Sequence, residues 1–297
     1  MRVEKIAKNI HRIDLGFQGK LAILSDLHWD NPKCDWDKLK KHLNYCKENK
    51  IPVFINGDFF CLMQGKGDKR SNKSDIRPEH NNSKYLDSIV ETAVDWFTPY
   101  AEILTVIGYG NHETSVIKYQ ETDILQRFVD LLNHKCKTSV FTGGYGGWLL
   151  LNKQHAKTDN TNFIRTLKYF HGSGGGGVVT RGEINLTRAL EMHEGFDVYC
   201  LGHIHENKAT EVVRESVGYN MGKRKYEQIH KSIHLMITGT YKEEFGDGSS
   251  GWHIERNAPI KATGGRILTL TSIKERSLVK NGQAVNTLLI DSIKFPL

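Results

Sequence analysis

Hydrophobic and polar positions alternate in two rhythms over the first two hundred residues. Lys20–Ser25 (KLAILS), Pro52–Asn56 (PVFIN) and Glu102–Ile107 (EILTVI) are short apolar runs ending in polar turns, as expected of strands buried on both faces. Between them Trp36, Leu39, Leu43 and Cys46 recur at helical spacing behind Asp35, a predicted N-cap. Leu86, Ile89, Val90, Ala93, Val94 and Phe97 make a second, wide apolar helix face, and a further helix is expected around Ile124–Leu132. Phe163–Phe170 (FIRTLKYF) and Phe196–Leu201 (FDVYCL) are two more apolar runs. Strand–helix alternation of this kind predicts an α/β sandwich or a doubly wound sheet. After about residue 206 the pattern turns strand-rich and polar, over Thr210–Val217, Ile233–Thr238, Arg266–Ile273 and Asn286–Phe295, with Lys223–Lys225 in an exposed hairpin. The chain shows no internal repeat and no Pro/Ser-rich linker, so one domain is expected over residues 1–297.

Two segments break the pattern. Gln64–Asn82 has Ile76 as its one aliphatic residue among many charges, which predicts a surface insertion. Its Lys66, Lys69, Arg70 and Lys73 could meet a nucleic-acid backbone. His171–Gly177 (HGSGGGG) formally satisfies the dinucleotide-binding pattern G-x-G-x-x-G, but a poly-Gly run does so trivially, and no Lys-Ser/Thr comes after it to make a P-loop. The glycines are better read as backbone running close to a site, with Thr180 and Glu183 forming a capping box for the next helix.

Charge and cysteine content narrow the setting. The formal net charge is +7, which favours anionic partners without choosing among nucleic acid, acidic lipid and a small phosphate. No apolar run approaches the roughly 18 residues of a membrane span, so no membrane insertion is expected. The N-terminal MRVEKIAKNIHRIDLG lacks the apolar stretch of a secretory signal. Five cysteines, with no C-x-x-C pair, predict a reducing, cytoplasmic location.

The candidate chemistry lies directly behind the apolar runs. Ser25-Asp26-Leu27-His28, Asn56-Gly57-Asp58, Gly110-Asn111-His112-Glu113, His171-Gly172 and Gly202-His203-Ile204-His205 each combine metal-ligand residues with turn residues. On a strand, residues i and i+2 share a face, so Asp26 with His28, and His203 with His205, are expected to aim at one point. Ligands of open α/β sheets gather at the carboxyl ends of the strands. Each fragment alone is commonplace; the five in this order, all at strand ends, are not.

That order, D-x-H, G-D, G-N-H-[DE], H and G-H-x-H, resembles the calcineurin-like metallophosphoesterase superfamily, from Asp26 to His205. The resemblance implies a four-layer α/β/β/α sandwich with two divalent metal ions at the strand ends. It implies Asp26, His28 and His205 on one ion, Asn111, His171 and His203 on the other, and Asp58 between them. It further implies that His112 faces the scissile phosphate and that Glu113 orients it. Carboxylate, imidazole and amide ligands without thiolate suit Mn²⁺ first, with Fe, Zn²⁺ or Mg²⁺ as alternatives. Two such ions activate a bridging hydroxide for in-line attack on phosphorus.

The expected activity is therefore metal-dependent hydrolysis of a phosphoester. Protein phosphatases of this superfamily carry a phosphate-gripping Arg after their G-D, whereas Phe59-Phe60-Cys61-Leu62 stand there in this chain. Together with the full G-H-x-H, this is more similar to the phosphodiesterase and nuclease branches. The alternatives are a phosphomonoesterase or protein phosphatase and, from another class, a non-catalytic scaffold of the same fold. Candidate substrate contacts are Gly172, Gly174, Arg181 and Arg256, the last close to Trp252.

Overall fold

The computed structural model describes residues 2–62, 75–154, 162–246, 248–249, 252–255, 257–280 and 283–296, with backbone alone for 252–253, 272–280 and 283–289. Two sheets lie face to face. One has six strands in the order β13 (Gln283–Lys294), β12 (Arg266–Lys280), β3 (Lys20–Leu24), β4 (Val53–Asn56), β5 (Leu104–Gly108) and β6 (Phe141–Thr142). The other has seven, in the order β1 (Val3–Ala7), β2 (Ile10–Gly16), β7 (Gly146–Gln154), β8 (Asn162–Phe170), β9 (Val198–Leu201), β11 (Lys225–Ile237) and β10 (Lys208–Asn220). β3, β4, β5 and β6 run parallel, so β3, β4 and β5 deliver their carboxyl ends to one edge. β8 and β9 are parallel to each other and send theirs to the same rim.

Period-two alternation builds the layers. Leu21, Ile23, Phe54 and Val106 face Leu149, Leu151, Leu167, Tyr169, Val198 and Cys200 across the gap between the sheets. The intervening residues Ala22, Leu24, Val53 and Ile55 point the other way, into a core with α1 (Trp36–Glu48), α2 (Tyr85–Phe97) and α4 (Ile124–Cys136). On the far side Tyr199, Leu201, Leu235 and Ile237 pack against Leu186 and Ala189 of α5 (Glu183–Met192). The result is a four-layer α/β/β/α sandwich. Its central strands β3, β4, β5 and β9 must be apolar on both sides, which is why they read as continuous runs.

Most expected elements are present, and Asp35 caps α1 by accepting the Lys38 N–H at 2.9 Å. Four features differ from expectation. The N-terminal segment forms β1 and β2, with Ile13 and Leu15 buried and Arg12 and Asp14 partly exposed. A further helix, α3 (Asn111–Gln120), starts directly at the G-N-H-E motif. Thr180 and Glu183 form no capping box. Gly182 is the N-cap of α5, and the Thr180 hydroxyl instead donates to the Gly176 carbonyl at 2.7 Å. Within the expected surface insertion, Ile76 and His80 are buried around a single helical turn, Pro78–His80. Lys66, Lys69, Arg70 and Lys73 lie outside the described residues. Among the described residues no helix is long and apolar enough to cross a membrane.

Candidate metal centre

The five segments meet at one rim, but not by strand alternation. β3 ends at Leu24, and Asp26 and His28 sit in irregular backbone with φ of 52° and 46°. Asp58, His203 and His205 are also left-handed, at 46°, 61° and 58°. Such backbone costs on the order of 1–3 kcal/mol per non-glycine residue and persists only where the surroundings impose it. Hydrogen bonds between the loops do so here. Asp26 N–H donates to Gly57 O at 3.1 Å, His28 N–H to Asp58 O at 3.1 Å and Trp29 N–H to Phe59 O at 2.9 Å. The strained residues turn their side chains to the rim, while Leu27 and Ile204 between them are buried in the two outer cores.

Two triads result. The ligand atoms of Asp26, His28 and His205 lie within 4.8 Å of one another, and so do those of Asp58, His171 and His203. His205 Nε2 is 3.2 Å from Asp26 Oδ1, and His171 Nε2 is 3.2 Å from Asp58 Oδ2. His171 Nε2 is also 4.0 Å from Asp26 Oδ1, which brings the triads side by side. His171 is oriented by donating Nδ1–H to the Asn56 carbonyl at 2.8 Å, which leaves Nε2 as its ligand nitrogen. Gly57 makes this approach possible. Its φ is +80°, and a Cβ there would fall 2.4 Å from His171 Nδ1.

His28 tests whether the site fits a metal. It is 2% exposed, and neither ring nitrogen has a hydrogen-bond partner. A buried polar atom without a partner is costly, and a carboxylate–imidazole cage around it is a suitable donor set for a divalent ion. Burial opposes charge at every group, with different outcomes. At Asp26 it is outweighed by His205 and His171, and at Asp58 by His171 and His112, so both carboxyls are held below the usual range. At His171 and His205 it is outweighed by the facing carboxylates, which push the rings up to about 9 and about 10. At His28 burial prevails, His112 reinforces it, and the ring stays neutral. The protons on His171 and His205 are those a bound cation would displace.

Asn111 is the first residue of α3 and His112 the second. The His112 N–H donates to Asp58 Oδ1 at 3.1 Å, and its Nε2 is 4.0 Å from Asp58 Oδ2. Its Nδ1 bonds to the Cys61 carbonyl, which fixes the ring. Glu113 is the third residue of α3. Its two oxygens accept the N–H groups of Phe60 and Gly110, each at 2.8 Å, so it clamps the loop after β4 to the start of α3. An N-terminal carboxylate with both oxygens engaged by backbone N–H groups is a helix cap, and burial first, then the Asp58 carboxylate, push it up to about 8.

The substrate candidates separate. Gly172 touches the site, since a Cβ on it would lie 2.9 Å from His203 Cβ, while Gly174 has open space around it. Arg181 is exposed, with its own N–H bonded to Gly177 O at 3.0 Å. Arg256 lies outside the described residues. Two residues that the sequence did not single out stand behind the rim. Glu244 Oε2 is 3.6 Å from His205 Nδ1, and Lys242 Nζ is 3.7 Å from Glu244 Oε1. They come after β11 in a stretch without any motif, so spacing gave no signal for them.

A family model for calcineurin-like phosphoesterase matches residues 19–207. No curated protein matches the chain. Among solved structures it is similar to "GAP50 the anchor in the inner membrane complex of Plasmodium", at 10% identity and a TM-score of 0.39, over 95% of this chain and 90% of that one. A likeness of that size carries no argument about function.

Proposed function

The chain belongs to the calcineurin-like phosphoesterase family, and we propose that it hydrolyses a phosphodiester, in a nucleotide or nucleic acid, at a two-metal centre on this rim. The observation that carries the reading is the pair of buried triads, Asp26/His28/His205 and Asp58/His171/His203, side by side with His28 unpartnered. Two divalent ions held there, Mn²⁺ foremost, would supply positive charge for the phosphoryl oxygens and lower the pKa of a bound water toward neutrality. Asp58, facing His171 on one side and His112 on the other, is suited to belong to both halves. Asn111, beside His112 at the head of α3, completes the proposed ligand set.

His112 is the group for the substrate. With Nδ1–H donated to Cys61 O, its Nε2 is the nitrogen that can serve a non-bridging or leaving oxygen, where the imidazolium form donates a hydrogen bond or a proton. The residues after Asp58 support a diester over a monoester. Phe59 and Phe60, the two residues directly after Asp58, are fully buried in the core, so neither position offers a cation to the second negative charge of a monoester.

The test is a substrate panel on the Mn²⁺-loaded chain: p-nitrophenyl phosphate, bis-p-nitrophenyl phosphate, and single- and double-stranded DNA and RNA. Turnover of diesters over the monoester is expected. The reverse preference would replace the reading with a phosphomonoesterase, and inactivity with Mn²⁺, Fe²⁺, Zn²⁺ and Mg²⁺ alike would leave a scaffold.

A further inference from the structure

A cavity of about 490 Å³ opens beside the metal centre, between α5 and the outer face of the seven-stranded sheet. Gly172, Ser173 and Ile204 line it. These residues come directly after His171 or stand between His203 and His205, so cavity and metal centre share a wall. Its other walls combine two chemistries. Phe170, Tyr199 and Met192 are apolar, while Lys168, Arg188 and His193 are basic, and no Asp or Glu is among the lining residues.

Lys168 is the informative member. It is half-buried, its Nζ lies 5.0 Å from the centre of the Trp148 ring, and it makes no ion pair among the described residues. Arg188 likewise makes none. Burial lowers the Lys168 ammonium, and burial first, then the nearby Lys168 charge, lower His193. A second anion is what this arrangement lacks. The aromatic and thioether walls suit a flat apolar body, by stacking and soft contact.

We propose that this cavity holds the part of the substrate that is not cleaved, and that this part is a nucleoside bearing a second phosphate. The inference rests on the hydrolase reading for its orientation, with the reacting phosphate at the metal centre and the second at Lys168 and Arg188. The volume falls in the roughly 300–1,000 Å³ range of small-molecule sites, which is the scale of a nucleotide rather than of a polynucleotide groove. The substrate is then a small nucleotide phosphoester or the end of a chain.

The experiment measures dissociation constants by calorimetry on the full-length, Mn²⁺-loaded chain, with adenosine 5′-monophosphate and adenosine 3′,5′-bisphosphate as probes. The bisphosphate is expected to bind at least tenfold more tightly. Lys168→Met and Arg188→Gln should each cut that ratio severalfold, and because each ratio is taken within one protein, a loss of folded fraction cancels. A ratio near one in the wild type, or a ratio untouched by both substitutions, overturns the proposal. Diester turnover with an untouched ratio would keep the hydrolase and discard the cavity. A sensitive ratio in a chain that cleaves nothing would keep the cavity and discard the hydrolase.

Discussion

Replacing Gly57 by alanine adds one methyl group to a residue that performs no chemistry, and it should lower metal binding several-fold. The built Cβ lies 2.4 Å from His171 Nδ1, 2.8 Å from Tyr109 O and 2.9 Å from Gly110 N, and two of these three are backbone atoms that cannot swing away. The left-handed φ of +80° adds conformational strain. Strain of about 1–2 kcal/mol and overpacking of about 1–3 kcal/mol together predict a loss of about 2–5 kcal/mol. At roughly 2 °C per kcal/mol for a chain of this size, Tm should fall by about 4–10 °C.

Gly174→Ala is the matched control. Gly174 has a similar φ of +71° and nothing within 4 Å of its built Cβ, so strain alone acts, at about 1–2 kcal/mol and about 2–4 °C. Metal content by mass spectrometry separates the pair further. Gly57→Ala pushes on the nitrogen that orients His171, so bound metal should drop several-fold, while Gly174→Ala keeps its full complement. Equal melting losses in the two variants, or full metal in Gly57→Ala, would refute the argument that packing on His171 sets the site.

Three other outcomes are expected. His112→Ala should lower kcat by about 10²-fold or more with unchanged metal content, since the loss of a positioned proton donor is of that order; a parallel fall of metal and activity would instead make His112 a ligand. Glu244→Gln removes the carboxylate behind His205 Nδ1, 3.6 Å away, and should weaken metal affinity about 10–100-fold, read by competition with a chelating dye, while melting in excess metal stays near wild type. His42 gives a pH signature far from the rim. It is stacked on Phe295 at 4.2 Å, and burial first, then Lys38, lower it to about 4. The unfolded chain therefore takes up the proton first, so stability present above pH 6.5 is lost as pH falls toward 4, by up to ~3 kcal/mol. Urea titrations should show that slope flattened in His42→Gln, and an unchanged slope would assign it elsewhere.

How much could be read from the sequence depends on how each residue is used. β3, β4 and β5 are buried on both faces, so Leu21–Leu24 and Val53–Ile55 are unbroken apolar runs. β2 has one partly exposed face, and its Ile13 and Leu15 alternate with Arg12 and Asp14, so it has no continuous apolar run to mark it. α3 buries only Glu113 and Val116, so it has almost no apolar stripe to find. Site residues were legible because metal chemistry restricts their types and strand ends fix their order. The left-handed backbone at Asp26, His28, Asp58, His203 and His205 was not, because at non-glycine residues it is imposed by partners distant in the chain. Glu113 shows the converse limit: its place in a motif implied a residue that orients His112, and the backbone N–H groups of Phe60 and Gly110 that it accepts, a capping role, have no signature in that motif.

The first triad draws on both sheets, with Asp26 from the six-stranded one and His205 from the seven-stranded one, 179 residues further along the chain. An ion held between them acts as a rivet through the sandwich. All five cysteines are free thiols, so a metal cross-link here would do for this chain what a disulfide does for a secreted one, closing a very long loop and shrinking the ensemble of its unfolded state. Unlike a disulfide, it can be drawn by a chelator and reset by adding metal. Chelation would then act first on the cohesion of the two sheets, and loss of activity would be one symptom of their coming unfastened.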